Sequence, residues 1–97
     1  MDEHAICDAI HHHRRVEFWY RGGIRKVEPY AYGLTDGGHP TLRAYQISGY
    51  SRSREQGWKL FHVDEIEAFA VLDEGFGEPQ LGYMRNDPTM AKVICEL

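Results

Sequence analysis

The 97-residue sequence has no long apolar run, few prolines, two cysteines, and no repeat, low-complexity tract or Walker-type phosphate loop. Each absence removes a class of protein. Nothing approaches the roughly 20 apolar residues that span a bilayer, and no strongly cationic amphipathic helix is present, so neither a membrane span nor a surface anchor is expected. Cys7 and Cys95 lie near opposite ends and form no Cys-x-x-Cys pair. With no signal peptide in view they read as reduced thiols of a cytoplasmic protein, a disulfide between the two ends being the alternative. His11, His12 and His13 are consecutive; on a helix they point about 100° apart and cannot converge on one ion, so no metal or other cofactor is expected. For catalysis the raw materials are Cys7 with a histidine, or Asp64 with Glu65, and neither has a supporting motif. Adjacent carboxylates on a strand face opposite ways, so no enzyme is expected.

What is present fits one domain over residues 1–97, large enough to bury on the order of 60 to 65% of its unfolded surface. The formal net charge of −4 hides a split. Residues 1–63 carry nine Lys/Arg against seven Asp/Glu, whereas residues 64–97 carry two against eight. Indiscriminate coating of DNA needs a basic domain and is disfavoured; a local cationic pocket for a phosphate-bearing ligand is not.

Alternation is clearest in residues 14–30. Val16, Phe18 and Tyr20 share one face, while Arg15, Glu17, Trp19 and Arg21 share the other, and Gly22-Gly23 suits a tight hairpin turn. Ala5, Ile6, Ala9 and Ile10 recur at helical spacing from acidic Asp2-Glu3 to cationic His13-Arg14-Arg15, which predicts a short N-terminal helix within residues 1–14. Strands are predicted at about 15–21, 24–34, 41–48, 58–63 and 66–72, with a second turn at Asp36-Gly37-Gly38 and a bend, bulge or edge at Pro29. Five short strands over 15–72 suggest a small β-barrel. Residues 73–97 read as an ordered connection and a C-terminal helix, capped by Asp87-Pro88 and carrying Met90, Val93, Ile94 and Leu97 at i, i+3, i+4, i+7. The polar loop Ser48 to Gly57 is too long to be a mere connector.

In order and spacing, Ala9-Ile10, Arg15 to Tyr20, Val27-Glu28-Pro29-Tyr30, Leu42 to Gln46, Gly57 to Phe61, Val63 to Ile66, Leu72 to Phe76 and Gly82-Tyr83 resemble the WYL domain family almost end to end. The chain looks like a short standalone version of that domain. The resemblance implies a mainly β fold, an SH3-like or Sm-like five-stranded barrel with flanking helices, found in bacterial regulators beside a helix-turn-helix. It also implies a non-enzymatic sensor in transcriptional or defence regulation, whose ligands are nucleotides or single-stranded nucleic acid. The family's Trp-Tyr-Leu tripeptide falls on Pro40-Thr41-Leu42, and its basic residue after Asp64 is here Glu65.

The candidate ligand-binding residues are Arg21, Arg25, Tyr30, Arg43, Tyr45, Ser51, Arg52, Arg54 and Trp58. Guanidinium forks pair with phosphate oxygens and aromatic faces stack bases, each base worth roughly 1–3 kcal/mol. Tyr20, Tyr30 and Tyr45 also fall where a small barrel needs bulky core. Gly49 to Ser53 suits either a phosphate-binding backbone nest or a plain polar loop. Together they suggest one arginine-lined pocket, walled by the first hairpin and completed by Arg43 and the Arg52–Arg54 loop. The expected partner is a nucleotide or short single strand, with a second copy or a helix-turn-helix regulator as a further partner. The alternative function is protein interaction or homo-oligomerisation through barrel edge strands.

Overall fold

The computed structural model describes residues 3–97, so Asp2 of the expected acidic helix start lies outside the described residues. The chain runs α1 (Glu3–His11), β1 (Arg14–Tyr20), β2 (Gly23–Leu34), β3 (Pro40–Gly49), β4 (Gly57–His62), a 3-10 turn (Val63–Glu65), β5 (Glu67–Gly75) and β6 (Lys92–Glu96). The strands form one antiparallel sheet in the order β4-β3-β2-β1-β5, with β6 paired to β2. The protein is mainly β, as expected, and the helix and first five strands lie close to their predicted positions.

The alternation in β1 does what its period demands. Val16, Phe18 and Tyr20 are buried with Val27 and Tyr32 of β2, Leu42 and Ala44 of β3 and Phe61 of β4, and the α1 residues Ile6, Ala9 and Ile10 close over them. The first hairpin turns one residue earlier than expected. Tyr20 pairs with Gly23, so Arg21 and Gly22 form the two-residue loop, with φ of 40° and 109°. Such a loop needs positive φ at both central positions. Pro29 sits at a bulge between Pro29 and Ala31, which leaves Tyr30 out of register.

The expected barrel is not closed. Closure requires the outer strands to pair with each other. Here β4 and β5 are joined by the 3-10 turn, and among the described residues β4 pairs only with β3 and β5 only with β1. β2 uses one edge for β3 along its length, while its other edge serves β1 over Gly23 to Val27 and then β6 over Ala31 to Leu34.

The expected C-terminal helix is not formed either. Asp87 does cap a turn: its Oδ1 accepts from the Thr89 N–H and hydroxyl, and its carbonyl accepts from Met90 N–H. One turn is all that forms. Ala91 N–H donates to Leu34 O and the chain continues as β6, because Val93 and Ile94 favour a strand and β2 offers an open edge. Gly33 permits the approach, since a Cβ there would run into the Lys92 carbonyl.

The reduced-thiol reading is also overturned: Cys7 of α1 and Cys95 of β6 form a disulfide, their Cα atoms 5.8 Å apart. β6 pairs with β2 and the bridge fastens it to α1, so the first helix and the last strand meet. The cytoplasmic expectation loses the thiol premise on which it rested. Among the described residues no helix is long and apolar enough to cross a membrane.

Candidate functional site

The sheet sorts the predicted site residues onto two faces rather than into one pocket. Facing residues on paired strands share a side. Tyr45 is opposite Trp58, which places Arg43, Tyr45 and Trp58 on one face; Leu42 is opposite Phe61 and Ala44 opposite Lys59, which places Lys59 on the other, the core face. Arg25 lies opposite Phe18 and so also belongs to the core face, at its end.

On the first face the aromatic residues pack against one another, tilted or edge-on except for Trp58 stacked on Tyr83. Trp58 lies 5.0 Å from the Tyr30 ring, 5.3 Å from Tyr45 and 6.3 Å from Tyr83, and Phe76 covers Tyr30 from 5.4 Å. Residues 76–91 fold over this face, where the Trp58 indole N–H donates to Leu81 O at 2.7 Å. Tyr30 is fully buried. Its hydroxyl donates to Glu28 Oε1 at 3.1 Å and accepts from Gln80 N–H at 3.0 Å. Glu28, itself buried, accepts two hydrogen bonds from Arg15 at 3.1 and 3.0 Å. Burial, reinforced by the neighbouring Glu28, pushes the Tyr30 phenol up to about 12. Tyr30 is therefore a core residue of this face and no stacking platform.

Arg43 is also committed. Its Nε donates to Asp87 Oδ2 at 2.7 Å. Burial alone would raise the Asp87 carboxyl, but the hydrogen bonds from Arg43 and Thr89 outweigh it and hold that carboxyl below its usual range. Arg43, Trp58, Tyr83, Met84 and Asp87 line a cavity of about 210 Å³.

The second face carries a different cleft. Tyr20, Arg21, Arg25, Arg52, Lys59, Leu60, Phe61 and His62 enclose about 210 Å³ where the first hairpin, β4 and the 50–56 loop meet. Arg25 forms its inner wall and is only 6% exposed. Its Nε donates to Tyr20 O at 3.2 Å, and its guanidinium carbon lies 5.1, 5.4 and 5.6 Å from the centres of the Tyr20, Tyr50 and Phe61 rings. Burial, with Arg21 adding like-charge repulsion, lowers the pKa of this guanidinium; Tyr20 and Tyr50 act the other way. Tyr50 also lies across Gly22 and Gly23 of the first hairpin, its ring within 3.0 Å of where a Gly22 Cβ would stand, and remains 42% exposed. Ser51 is buried, shares a 3.1 Å hydrogen bond with Ser53 and accepts one from Lys59 Nζ at 3.1 Å.

The charges around this cleft are unbalanced. Of the eleven Lys and Arg side chains, six are in ion pairs: Arg14, Arg15, Arg21, Lys26, Arg43 and Arg85. Arg25, Arg52 and Lys59 have no carboxylate partner among the described residues, and all three line the cleft. Arg21 at its rim is held by Glu65. The single arginine pocket expected from the sequence is thus divided. Arg21, Arg25 and Arg52 come together, Arg43 lies on the opposite face, and Arg54, with φ of 66° in the exposed loop, does not line either cavity. Lys59 is a site residue that the sequence reading passed over, although its spacing of two from Phe61 was a signal that it shares a face with the core.

No protein-family model, curated protein or solved structure matches this chain.

Proposed function

We propose that this protein is a non-enzymatic regulatory binding module, of the kind its resemblance to the WYL domain implies, that receives a phosphate-bearing ligand in the Arg25–Arg52–Lys59 cleft. The ligand class is a nucleotide or short single-stranded nucleic acid. One observation carries the reading: three of the four Lys and Arg side chains of this cleft lack carboxylate partners among the described residues, whereas most of the other basic side chains are neutralised. A buried guanidinium without a counter-ion is costly, and a bound anion offsets that cost. Half-exposed Tyr50, against Arg25, supplies an aromatic face for a base.

The experiment is a fluorescence-polarisation screen of nucleotides and short oligonucleotides, titrated with salt. Binding should weaken with a slope of about −2 in log K against log salt if three cations meet a single strand, each contributing about 0.7. Loss of binding in an Arg52→Ala/Lys59→Gln variant of unchanged oligomeric mass is the expected outcome. No binding to any probe at low ionic strength overturns the reading.

A second reading is self-association. Its support is that β4 and β5 each have one edge without a strand partner among the described residues, with Val71 on β5 46% exposed. Light scattering that finds a dimer, abolished by a charge placed on β5 and with ligand binding intact, favours it.

A further inference from the structure

We infer that the cleft is built for a terminal phosphomonoester, the phosphorylated end of a nucleotide or of a single strand, rather than for the phosphodiester backbone passing through. This rests on the proposed function and narrows it. Four features of the site carry the step.

The first is position. Arg25 stands at the inner wall and its Nε is already used by Tyr20 O, so the guanidinium edge left to a ligand is the end bearing the two Nη atoms. That end suits two oxygens of one phosphoryl group held as a fork. The second is space. The cleft holds about 210 Å³, room for roughly seven waters at about 30 Å³ each. A phosphoryl group with the start of a sugar fits; a diester flanked by sugars on both sides must bring both past a residue that is 94% buried.

The third is charge density. Three uncompensated cations face one small volume: Arg25, Arg52, and Lys59, whose ammonium rests only on the neutral hydroxyls of Ser51 and Ser53 at 3.1 and 3.5 Å. A phosphomonoester concentrates about −1.5 to −2 charge and three acceptor oxygens at neutral pH, whereas a diester brings one charge per nucleotide. The fourth is the rim. Glu65 faces Arg21 there, and neighbouring Asp64 is exposed, so a backbone leaving past the hairpin meets carboxylates instead of a continuing basic track.

The test uses the full chain and an octathymidylate labelled on an internal base, prepared with hydroxyl ends, with a 5′-phosphate or with a 3′-phosphate. At least one phosphorylated probe should bind tighter than the hydroxyl probe by about tenfold or more, the effect of one or two additional charge-assisted hydrogen bonds. In Lys59→Gln and in Arg52→Ala, neither of them a member of the hydrophobic core, binding of all three probes should weaken, and that of the phosphorylated probe most, so that the preference falls to about threefold or less. Thymidine monophosphate should displace the phosphorylated probe and thymidine should not, and competition by inorganic phosphate tells whether the phosphoryl group suffices alone. Equal affinity for all three probes overturns the end-recognition inference and leaves single-strand binding standing. Failure of every probe, with no heat of binding for thymidine monophosphate in calorimetry at low ionic strength, overturns both.

Discussion

Arg21 and Glu65 face each other at the rim of the cleft through two parallel hydrogen bonds of 2.7 Å each, from Nε and Nη2 to the two carboxylate oxygens. Hydrogen bonding from Arg21 holds the Glu65 carboxyl below its usual range, and Glu65 in turn raises Arg21. A side chain carboxylate thus occupies the fork that an incoming phosphate would use. Glu65→Gln should release Arg21, tighten binding of an anionic ligand by roughly three- to tenfold and steepen the salt slope by about 0.7, one added phosphate contact. Both side chains are exposed, so thermal stability should barely change. Unchanged affinity and slope in a salt titration would show that Arg21 does not reach the ligand.

Gly33 places β2 against β6 at a distance no side chain allows, because its Cβ would run into the Lys92 carbonyl and crowd Met90 Sδ. The obstacle is backbone, which cannot swing aside. Gly33→Ala should therefore destabilise the fold by about 1–3 kcal/mol, the usual cost of overpacking. Hydrogen exchange should show the loss concentrated in β6, where the Gly33–Val93 pairing is made. Uniform loss of protection, or none, would mean the two strands separate without cost at that point.

These contacts mark where the sequence was legible. Val16, Phe18 and Tyr20 declared their buried face because period-two alternation is a local property of a strand. Gly22 declared the first turn to within one residue, and Pro29 its bulge. The C-terminal segment was ambiguous, since Val93, Ile94 and Leu97 satisfy a helical spacing while the β-branched Val93 and Ile94 suit a strand. What decided it was the free edge of β2, some sixty residues away in the chain. The arginines were legible as a residue type, but which ones stay uncompensated depends mostly on acids 44 to 59 residues distant, such as Glu65 for Arg21, Asp87 for Arg43 and Glu74 for Arg15. Such pairings follow from topology, and the open sheet placed Arg43 and Arg25 on opposite faces.

The buried Tyr30 phenol gives the protein an alkaline limit. Its pKa is pushed up to about 12 in the folded state by burial, against about 10 for an unfolded tyrosine. The folded state therefore keeps a proton that the unfolded chain releases. The resulting stability is present below pH 10 and is lost as pH rises from about 10 to 12. Tyr32 and Tyr83, also raised by burial, add to the same trend. Denaturant melts between pH 9 and 12 should show this decline. Tyr30→Phe should make it shallower while costing about 1–3 kcal/mol at neutral pH, because Gln80 N–H and Glu28 lose a buried partner. A variant with the parent's alkaline profile would place the titrating group elsewhere.

The Cys7–Cys95 bridge closes a loop spanning 88 residues, nearly the whole chain. Chain-entropy reasoning gives about 4–5 kcal/mol for a loop of that size, and measured effects of native bridges in small domains are about 2–5 kcal/mol. Cys7→Ala/Cys95→Ala, or reduction of the parent protein, should lower stability by that amount, and thiol titration of the unfolded, unreduced protein should find no free cysteine. Ligand binding should nevertheless survive wherever the protein stays folded. Cys95 pairs with Tyr32, whereas Arg25 lies seven residues earlier on β2, about 23 Å away at roughly 3.3 Å per residue. The bridge thus fastens α1 and β6 at one end of the sheet, and the cleft belongs to the other. A reduced protein that stays folded but loses its ligand would instead tie the cleft to the clasp, and hydrogen exchange at Arg25 with and without reductant would locate the connection.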